Sequence, residues 1–185
     1  MLMPFADSRN EIRHPTGRYA RTTAGFTLIE LIITVLVLAI MLAFAVPNWV
    51  PFIQGNRLAA AQSDFMSSLA YARSEAARAN LTVHMTPGAP PGFSTDFATG
   101  WTVWMDNNNS GAWAAGDTLR THSALTKVTA AMATPGEIVF APTGFLSAGV
   151  PTRVTLCDAD VLTNTYQINV LVSGATVAIK NQPCA

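Results

Sequence analysis

Residues 25–47 constrain this chain most, because they form a long apolar run that contains one charge. The run reads GFTLIELIITVLVLAIMLAFAVP, and its charged side chain is Glu30. About twenty residues at roughly 1.5 Å each span about 30 Å as a helix, which is the thickness of the hydrocarbon core of a bilayer. The run therefore predicts a membrane-spanning helix. An ionised carboxylate in such a helix costs about 2–3 kcal/mol unless it finds a partner, so Glu30 is a candidate functional residue.

Two ordinary interpretations of this run remain open on the residues alone. One is the apolar region of a secretory signal peptide, since Ala43 and Ala45 form a small-x-small pair just before Val46. Such regions reach about 15 residues at most, and this run is longer and contains an acid. The other is a plain membrane anchor whose Glu30 reaches the headgroup boundary.

The distribution of charge predicts the orientation of the chain. Residues 1–25 contain four arginines and two acids, whereas the remainder contains seven basic and nine acidic side chains. Basic residues cluster before the apolar run, and Arg57 is the first basic residue after it. This bias places the amino end in the cytoplasm and the rest of the chain outside, which in a bacterium is the periplasm.

Two cysteines, Cys157 and Cys184, lie in the part that is predicted to be exported. An even pair in an oxidising compartment predicts a disulfide bond. Closing a loop of that length contributes roughly 3–4 kcal/mol in the chain-entropy model. Two isolated thiols lack further ligands at metal-binding spacing, so we predict neither a structural metal nor another cofactor.

Beyond the apolar run the pattern becomes amphipathic. Pro47 and Pro51 are expected to kink or loosen the helix without necessarily ending it, and Asn80 is a plausible helix end. A single apolar stripe runs through this part at helical spacing, which predicts that it packs on a sheet. The stripe consists of Leu58, Phe65, Leu69, Ala72 and Ala76.

After residue 80 the apolar period falls from about 3.6 to 2, which predicts strands. The loop indicated most clearly is 86–92, which reads TPGAPPG. The predicted strands are 81–85, 101–105, 118–121, 124–128, 137–141, 153–157, 166–172 and 176–180. The expected fold class is α+β, with an antiparallel sheet packed against a long N-terminal helix.

The start of the apolar run resembles a known processing signal. Gly25-Phe26-Thr27-Leu28-Ile29-Glu30, preceded by a basic leader and followed by an apolar run to Pro47, is similar to the class III signal of type IV pilins and type II secretion pseudopilins. The resemblance implies cleavage between Gly25 and Phe26 by a prepilin peptidase, which then methylates Phe26. It also implies that Glu30 pairs with the new ammonium of a neighbouring subunit and sets the register of fibre assembly.

The rest of the chain resembles the GspH/FimT group of minor pilins and pseudopilins. The resemblance lies in residues 70–76 (AYARSEA), residues 100–106 (GWTVWMD), and Val139-Phe140 followed by Gly144. The late cysteines also fit FimT-like members. The expected organisation is a removable leader over 1–25, a transmembrane and assembly helix over 26–46, an amphipathic continuation over 47–80 and a β-rich domain over 81–185.

The resemblance implies a structural function in assembly or at the tip of a type IV pilus. The expected partners are other major and minor pilins through the N-terminal helix, the prepilin peptidase and an inner-membrane assembly platform. The alternative within the family is a GspH-type minor pseudopilin of type II secretion. In both cases the chain is expected in the inner membrane as a single-pass protein with a periplasmic domain.

A weak calcium motif lies between two predicted strands. The oxygen side chains of Asp106, Asn108, Ser110 and Asp117 echo the spacing of an EF-hand loop. The last acid is Asp instead of a bidentate Glu, and strands flank the loop instead of helices. The competing interpretation is a β-hairpin turn built from Asn and Gly.

DNA binding is the alternative from another functional class, because some FimT-like pilins are DNA receptors in natural transformation. The resemblance would place arginines after the glycine of segment 174–180, which here reads GATVAIK. The candidate phosphate contacts are therefore few, and the chain after the leader is net acidic. These candidates are Lys127, Arg153 and Lys180.

Catalysis has the least support from the sequence. None of the motifs HExxH, CxxC, GxSxG or a phosphate-binding loop occurs in the chain. His84 and His122 stand without acids at an obvious spacing. We therefore predict that the protein is not an enzyme.

Overall fold

The computed structural model describes residues 25–133, 136–160, 165–180 and 182–184. In this part of the chain, helix α1 is followed by strands β1 to β9, with a 3₁₀ turn at Phe97–Thr99 between β2 and β3. The chain divides into two compact units between Phe44 and Ala45. The element bounds are α1 Leu28–Ala79, β1 Val83–Ala89, β2 Gly92–Phe93, β3 Trp101–Met105, β4 Thr118–His122, β5 Val128–Met132, β6 Ile138–Phe140, β7 Thr152–Asp158, β8 Thr165–Val170 and β9 Thr176–Lys180.

The first unit contains the apolar start of α1. The Glu30 N–H donates to the Thr27 hydroxyl at 3.2 Å, so Thr27 caps the first turn of the helix. The span Leu28–Ala45 has a mean hydropathy of 2.8, and none of its residues is buried within the chain. This helix is long and apolar enough to cross a membrane, in agreement with the sequence prediction.

In the second unit α1 continues to its end at Ala79. Pro47 and Pro51 both lie inside the helix, which confirms that they do not end it. Asn80 has a positive φ of 56°, a left-handed conformation that stops a helix and that asparagine tolerates. The five residues of the predicted apolar stripe are all buried, so that stripe is part of the core.

The strands form two antiparallel sheets. The first sheet has the order β2-β1-β3-β4, and β6 pairs with β1 on the side away from β3. The second sheet has the order β5-β7-β8-β9. The α+β fold class is confirmed, and the predicted antiparallel sheet is divided into two. The core lies where the apolar stripe meets both sheets, with Phe65 edge-on to Trp101 and Phe97 at ring-centroid distances of 5.1 and 5.2 Å.

The predicted loop at 86–92 was wrong over its first half, because β1 continues to Ala89 and then turns into β2. The Gly88 N–H donates to the Gly100 carbonyl of the neighbouring segment, so the backbone of Pro87 faces away from β3. On that side β6 pairs with β1 only as far as Met85. Pro87 therefore removes no bond to β3; on its other side its carbonyl accepts from the Ser94 N–H at the end of the short β1–β2 hairpin, an edge position that tolerates proline.

The predicted strand at 124–128 was displaced by four residues. The observed strand is β5, Val128–Met132, and it begins just after Lys127, whose φ is 55°. The alternation of apolar residues continues through both segments, so the pattern alone does not distinguish them. The observed placement buries Val128 and Ala130 in the core.

A disulfide joins Cys157 of β7 to Cys184, 27 residues further along the chain. It ties the C-terminal segment to the second sheet. The hydroxyl of Thr165, which pairs with Cys157 in the ladder, also donates to the Gln182 carbonyl. The predicted disulfide is therefore present in the structure.

Candidate functional site

The candidate site at the start of α1 consists of Gly25, Phe26 and Glu30, which all lie on the surface. Phe26 is 80% exposed and precedes the first helical turn. The N–H group of Glu30 is held by Thr27, and the Thr34 hydroxyl donates to the Leu31 carbonyl at 2.8 Å. The hydroxyl groups of this segment thus bond within the helix, and the Glu30 carboxylate is its one charged group.

The sequence that follows Glu30 offers it no nearby basic side chain. Residues 26–56 contain no Lys or Arg, and the next basic side chain along the helix is Arg57. Arg57 is 27 residues beyond Glu30 in the sequence and belongs to the second unit. The apolar part of the helix therefore supplies no cation for the carboxylate of Glu30.

The apolar side chains around Glu30 are exposed as well. The large apolar residues between Phe26 and Ile53 whose side chains the structure describes have between 43% and 80% of their surface accessible. Soluble proteins rarely expose so long a patch, and such a patch indicates a membrane or another protein. A helix that is apolar on all sides needs lipid or other helices as its surroundings.

A cluster of charged side chains lies where α1 begins to pack on the sheets, and the sequence did not predict it. It consists of Arg57, Lys127, Asp158 and Asp160. Arg57 donates to the buried carboxylate of Asp158 at 2.8 Å and approaches Asp160 at 3.4 Å. Lys127 binds Asp160 at 2.9 Å. The hydrogen bond from Lys127, supported by Arg57 and opposed by partial burial, lowers the pKa of Asp160. Arg57 is about a hundred positions from both aspartates, and Lys127 is 33 positions from Asp160, so no local spacing could have revealed the cluster.

The three candidate DNA contacts are not brought together. Lys127 is engaged with Asp160, and Arg153 donates to the side chain of Asn169 at 3.2 Å. Arg153 pairs with Asn169 in the ladder, and Lys180 pairs with Tyr166 three residues away. An odd offset along a strand places the two side chains on opposite faces of the sheet. The described residues therefore form no shared basic surface from this set.

The candidate calcium loop uses its carboxylates to hold its own backbone. Asp106 accepts from the N–H groups of Ser110 and Gly111, and Asp117 accepts from the Ala114 N–H and the Asn107 side chain. The Gly111 bond, helped by Ser110 and opposed by burial, lowers the pKa of Asp106. In the described ranges no three His, Cys, Asp or Glu side chains are grouped closely enough to hold a metal ion. These contacts favour the hairpin-turn interpretation.

The two tryptophans of β3 are both buried. Trp101 faces the helix, and Trp104, on the other face of the strand, is stacked on His84 with ring centroids 3.9 Å apart. The Trp104 N–H donates to the Thr86 hydroxyl, which donates to Glu137. These side chains therefore cover the face of the first sheet that is opposite the helix.

His84 and His122 both contact acids that are distant in the sequence. His84 donates to Glu137 at 3.0 Å, and His122, stacked on Trp101, approaches Asp64 at 3.4 Å. Partial burial acts to raise the pKa of Glu137, but the hydrogen bond and charge of His84 and the Thr86 hydroxyl lower it overall. The His84 pair joins β1 to the residue before β6, and the His122 pair joins β4 to α1. A tryptophan ring stacks on each histidine.

Comparisons with known proteins agree with this description. The family model described as type II transport protein GspH matches residues 61–176, which is more than half of the chain. The prokaryotic N-terminal methylation motif matches residues 20–46. No curated protein sequence matches the chain.

Two crystal structures of the type IV minor pilin FimU from Pseudomonas aeruginosa strain PAO1 share the fold. One is 19% identical with a TM-score of 0.57, over 72% of this chain and 99% of that chain. The other crystal form is 18% identical with a TM-score of 0.55, over 69% of this chain and 100% of that chain. At these identities the likeness establishes the fold and not the function.

Proposed function

This chain belongs to the family of type II transport protein GspH, and from that premise we propose that it is a structural subunit in the assembly or tip of a type IV pilus. The family membership and the methylation motif make it a minor pilin or pseudopilin with an apolar N-terminal helix. The proposal adds the type of fibre and the order of events. The chain is inserted in the inner membrane with its β-rich domain in the periplasm, and a prepilin peptidase removes the leader.

The observation that supports the proposal is the position of Glu30. It lies in the first turn of an exposed apolar helix, within a segment that has no basic residue. Cleavage between Gly25 and Phe26 would create an ammonium group at Phe26, about one helical turn from the carboxylate. Methylation of that amine keeps its positive charge.

The proposed assembly step exchanges an unpaired charge for an ion pair. In the bilayer the carboxylate of Glu30 costs about 2–3 kcal/mol. When the helix leaves lipid for a bundle of other pilin helices, the apolar side chains stay in apolar surroundings. The carboxylate then gains the Phe26 ammonium of a neighbouring subunit, which offsets its desolvation. Correct register is thereby favoured over a misaligned bundle.

The experiment that tests the proposal is N-terminal sequencing of the protein recovered from membranes of cells that make it. We expect a chain that starts at N-methylated Phe26. A chain that starts at Val46 would indicate a conventional secreted protein. An intact leader would leave only an anchored periplasmic domain and would overturn the proposal.

The family description favours a second candidate, a GspH-type minor pseudopilin of type II secretion. The processing and the helix are the same in both, so the discriminating measurement concerns the fibre. We expect the chain in surface fibres that are sheared from the cells, and normal export of secreted enzymes when its gene is deleted. Loss of enzyme export without loss of surface fibres would instead assign the chain to secretion.

A further inference from the structure

Strand β9, Thr176–Lys180, is the outer strand at one edge of the second sheet. The strand at the other edge, β5, packs against the 3₁₀ turn Phe97–Thr99. Just before β5, the Leu125 N–H donates to the Ala98 carbonyl of that turn. The β5 edge of the sheet is therefore covered by another segment of the chain, whereas β9 forms the opposite edge.

The free backbone groups of β9 can be assigned from the ladder. In the turn before β9 the Leu171 N–H donates to the Ala175 carbonyl at 2.8 Å, and the β8–β9 ladder continues in the same register. Hydrogen-bonded and non-bonded pairs alternate along an antiparallel ladder, so residues 177 and 179 bond to β8. The residues whose N–H and C=O groups point away from β8 are Thr176, Ala178 and Lys180.

The side chains of β9 leave this edge unprotected. Val177 and Ile179 are 46% and 41% exposed, and Leu171 and Val172 extend the apolar surface at the turn. Proteins usually guard an edge strand with proline, an inward charge or a bulge. The sequence TVAIK has only the terminal Lys180 as such a device.

A groove lies between this edge and the last turns of α1. Its volume is about 360 Å³, and Ala70, Arg73, Ala77 and Thr176 contribute to its lining. Its floor is Gly174, with φ +77°, where a Cβ atom would come within 2.2 Å of the Gly144 carbonyl oxygen. Arg73 donates to that carbonyl at 3.1 Å, so its cationic side chain lies against the groove.

We propose that β9 is a docking edge, which pairs with an extended segment of a neighbouring pilin-type subunit and adds a strand to the second sheet. The outward backbone groups define the occupant, because only an extended peptide satisfies alternating N–H and C=O groups along a strand. Its side chains beside Val177 and Ile179 would be β-branched or aromatic. Those that enter the groove would be small or acidic, to fit beside Arg73. The proposal rests on the proposed function, in which the chain has pilin neighbours.

The test uses the full chain in cells that make it, with photo-reactive benzoylphenylalanine in place of Ile179. A matched probe replaces Thr121 on the edge strand β4, which is exposed but polar. Each probe is combined with Ala178→Pro or with Ala178→Thr. Proline at 178 removes an outward N–H and leaves the bonds to β8 intact, as edge strands permit, whereas threonine keeps that N–H.

We expect the probe at 179 to crosslink to an extended segment of a pilin-type subunit, identified by mass spectrometry of the adduct. Ala178→Pro should reduce the adduct by about tenfold or more, because proline on an edge blocks pairing, and Ala178→Thr should retain it. Val177→Lys, which leaves the backbone unchanged, should reduce the adduct as well. Thermal unfolding of each variant verifies that the domain is folded.

The inference is overturned by an adduct that is unaffected by proline at 178, by an equal adduct from position 121, or by a partner that is not pilin-like. Incorporation into sheared fibres is measured in the same cells. If the chain is present in fibres and position 179 gives no adduct, the docking edge is wrong and the proposed function stands. If the chain is never found in fibres, both proposals fail.

Discussion

The two halves of helix α1 have the same secondary structure and opposite surroundings. From Leu28 to Ile53 the large apolar side chains are exposed, whereas from Leu58 onward an apolar stripe is buried under the chain's own sheets. The first half is apolar on all sides, and the second half is apolar on one. A helix with a single apolar stripe can be satisfied within one domain, but a helix that is apolar all round requires other molecules.

We therefore expect the stability of the β-rich domain to depend on the second half of α1 and assembly to depend on the first half. Replacing residues of the second half should affect folding of the β-rich domain. Replacing residues of the first half should affect membrane insertion or the fibre and leave that domain folded.

The largest expected effect is on the folding of the second unit. Phe65 is fully buried and packs edge-on to two other rings, so Phe65→Ala should destabilise the domain by about 3–5 kcal/mol. Leu38→Ala, in the exposed half, should leave the denaturation midpoint unchanged. Chemical denaturation of the detergent-solubilised chain measures both. Equal destabilisation by the two variants would contradict the division of α1.

The next effect concerns assembly alone. Glu30→Ala should leave insertion intact and reduce incorporation into fibres by about tenfold or more, since the lost ion pair is worth about 2–3 kcal/mol in an apolar environment. Thr34→Ala, one turn further along the same exposed helix, should assemble normally. Quantitative immunoblots of membranes and sheared fibres provide the measurement, and normal incorporation of the Glu30 variant would refute the assembly mechanism.

The ion pair between Arg57 and Asp158, where α1 begins to pack on the sheets, provides the third test. Arg57→Met removes the Arg57 cation from the buried carboxylate of Asp158, and weaker compensation of a buried charge is destabilising. We expect a lower Tm for the single variant and recovery in the double variant Arg57→Met, Asp158→Asn. Thermal unfolding of the four chains forms a double-mutant cycle, and additive effects would show that the contact is unimportant.

The smallest expected effect is a pH dependence confined to the β-rich domain. The pKa of Asp106 is lowered by the Gly111 bond, with a further contribution from Ser110 and opposition from burial. A carboxyl whose pKa is lowered on folding stabilises the fold above its unfolded pKa, and this stability is lost as the pH falls through the folded pKa. Asp106→Asn should therefore reduce the decrease in Tm as the pH falls below about 5 and through the lowered pKa of the native carboxyl. An unchanged slope would remove Asp106 from the acid response.

Much of the fold followed from local pattern. The apolar run, the stripe after Pro51 and the period-2 segments predicted the helix and most strands, because burial on one side imposes a periodicity that the residues display. The strand through Pro87 was missed, since a proline-glycine pair normally marks a turn. The sheet tolerates it there because the backbone of Pro87 faces away from β3, towards the short edge strand β2.

The functional residues also differ in whether the local sequence reveals them. Gly25, Phe26 and Glu30 lie within six consecutive residues, so the sequence alone revealed their motif. The sequence did not reveal the cluster of Arg57, Asp158 and Asp160, because ion pairs between distant segments depend on how the sheets fold back on the helix.

The amino-acid sequence by itself determined that this protein has an apolar helix with one acid near its start, a processing motif before that acid and a β-rich domain after it. These features are local, so each is encoded in consecutive residues. The tertiary structure alone decided which strands share a sheet, which cations meet acids and which strand edge the described residues leave uncovered. Those outcomes depend on long-range packing, in which a residue's environment is set by segments far from it in the chain.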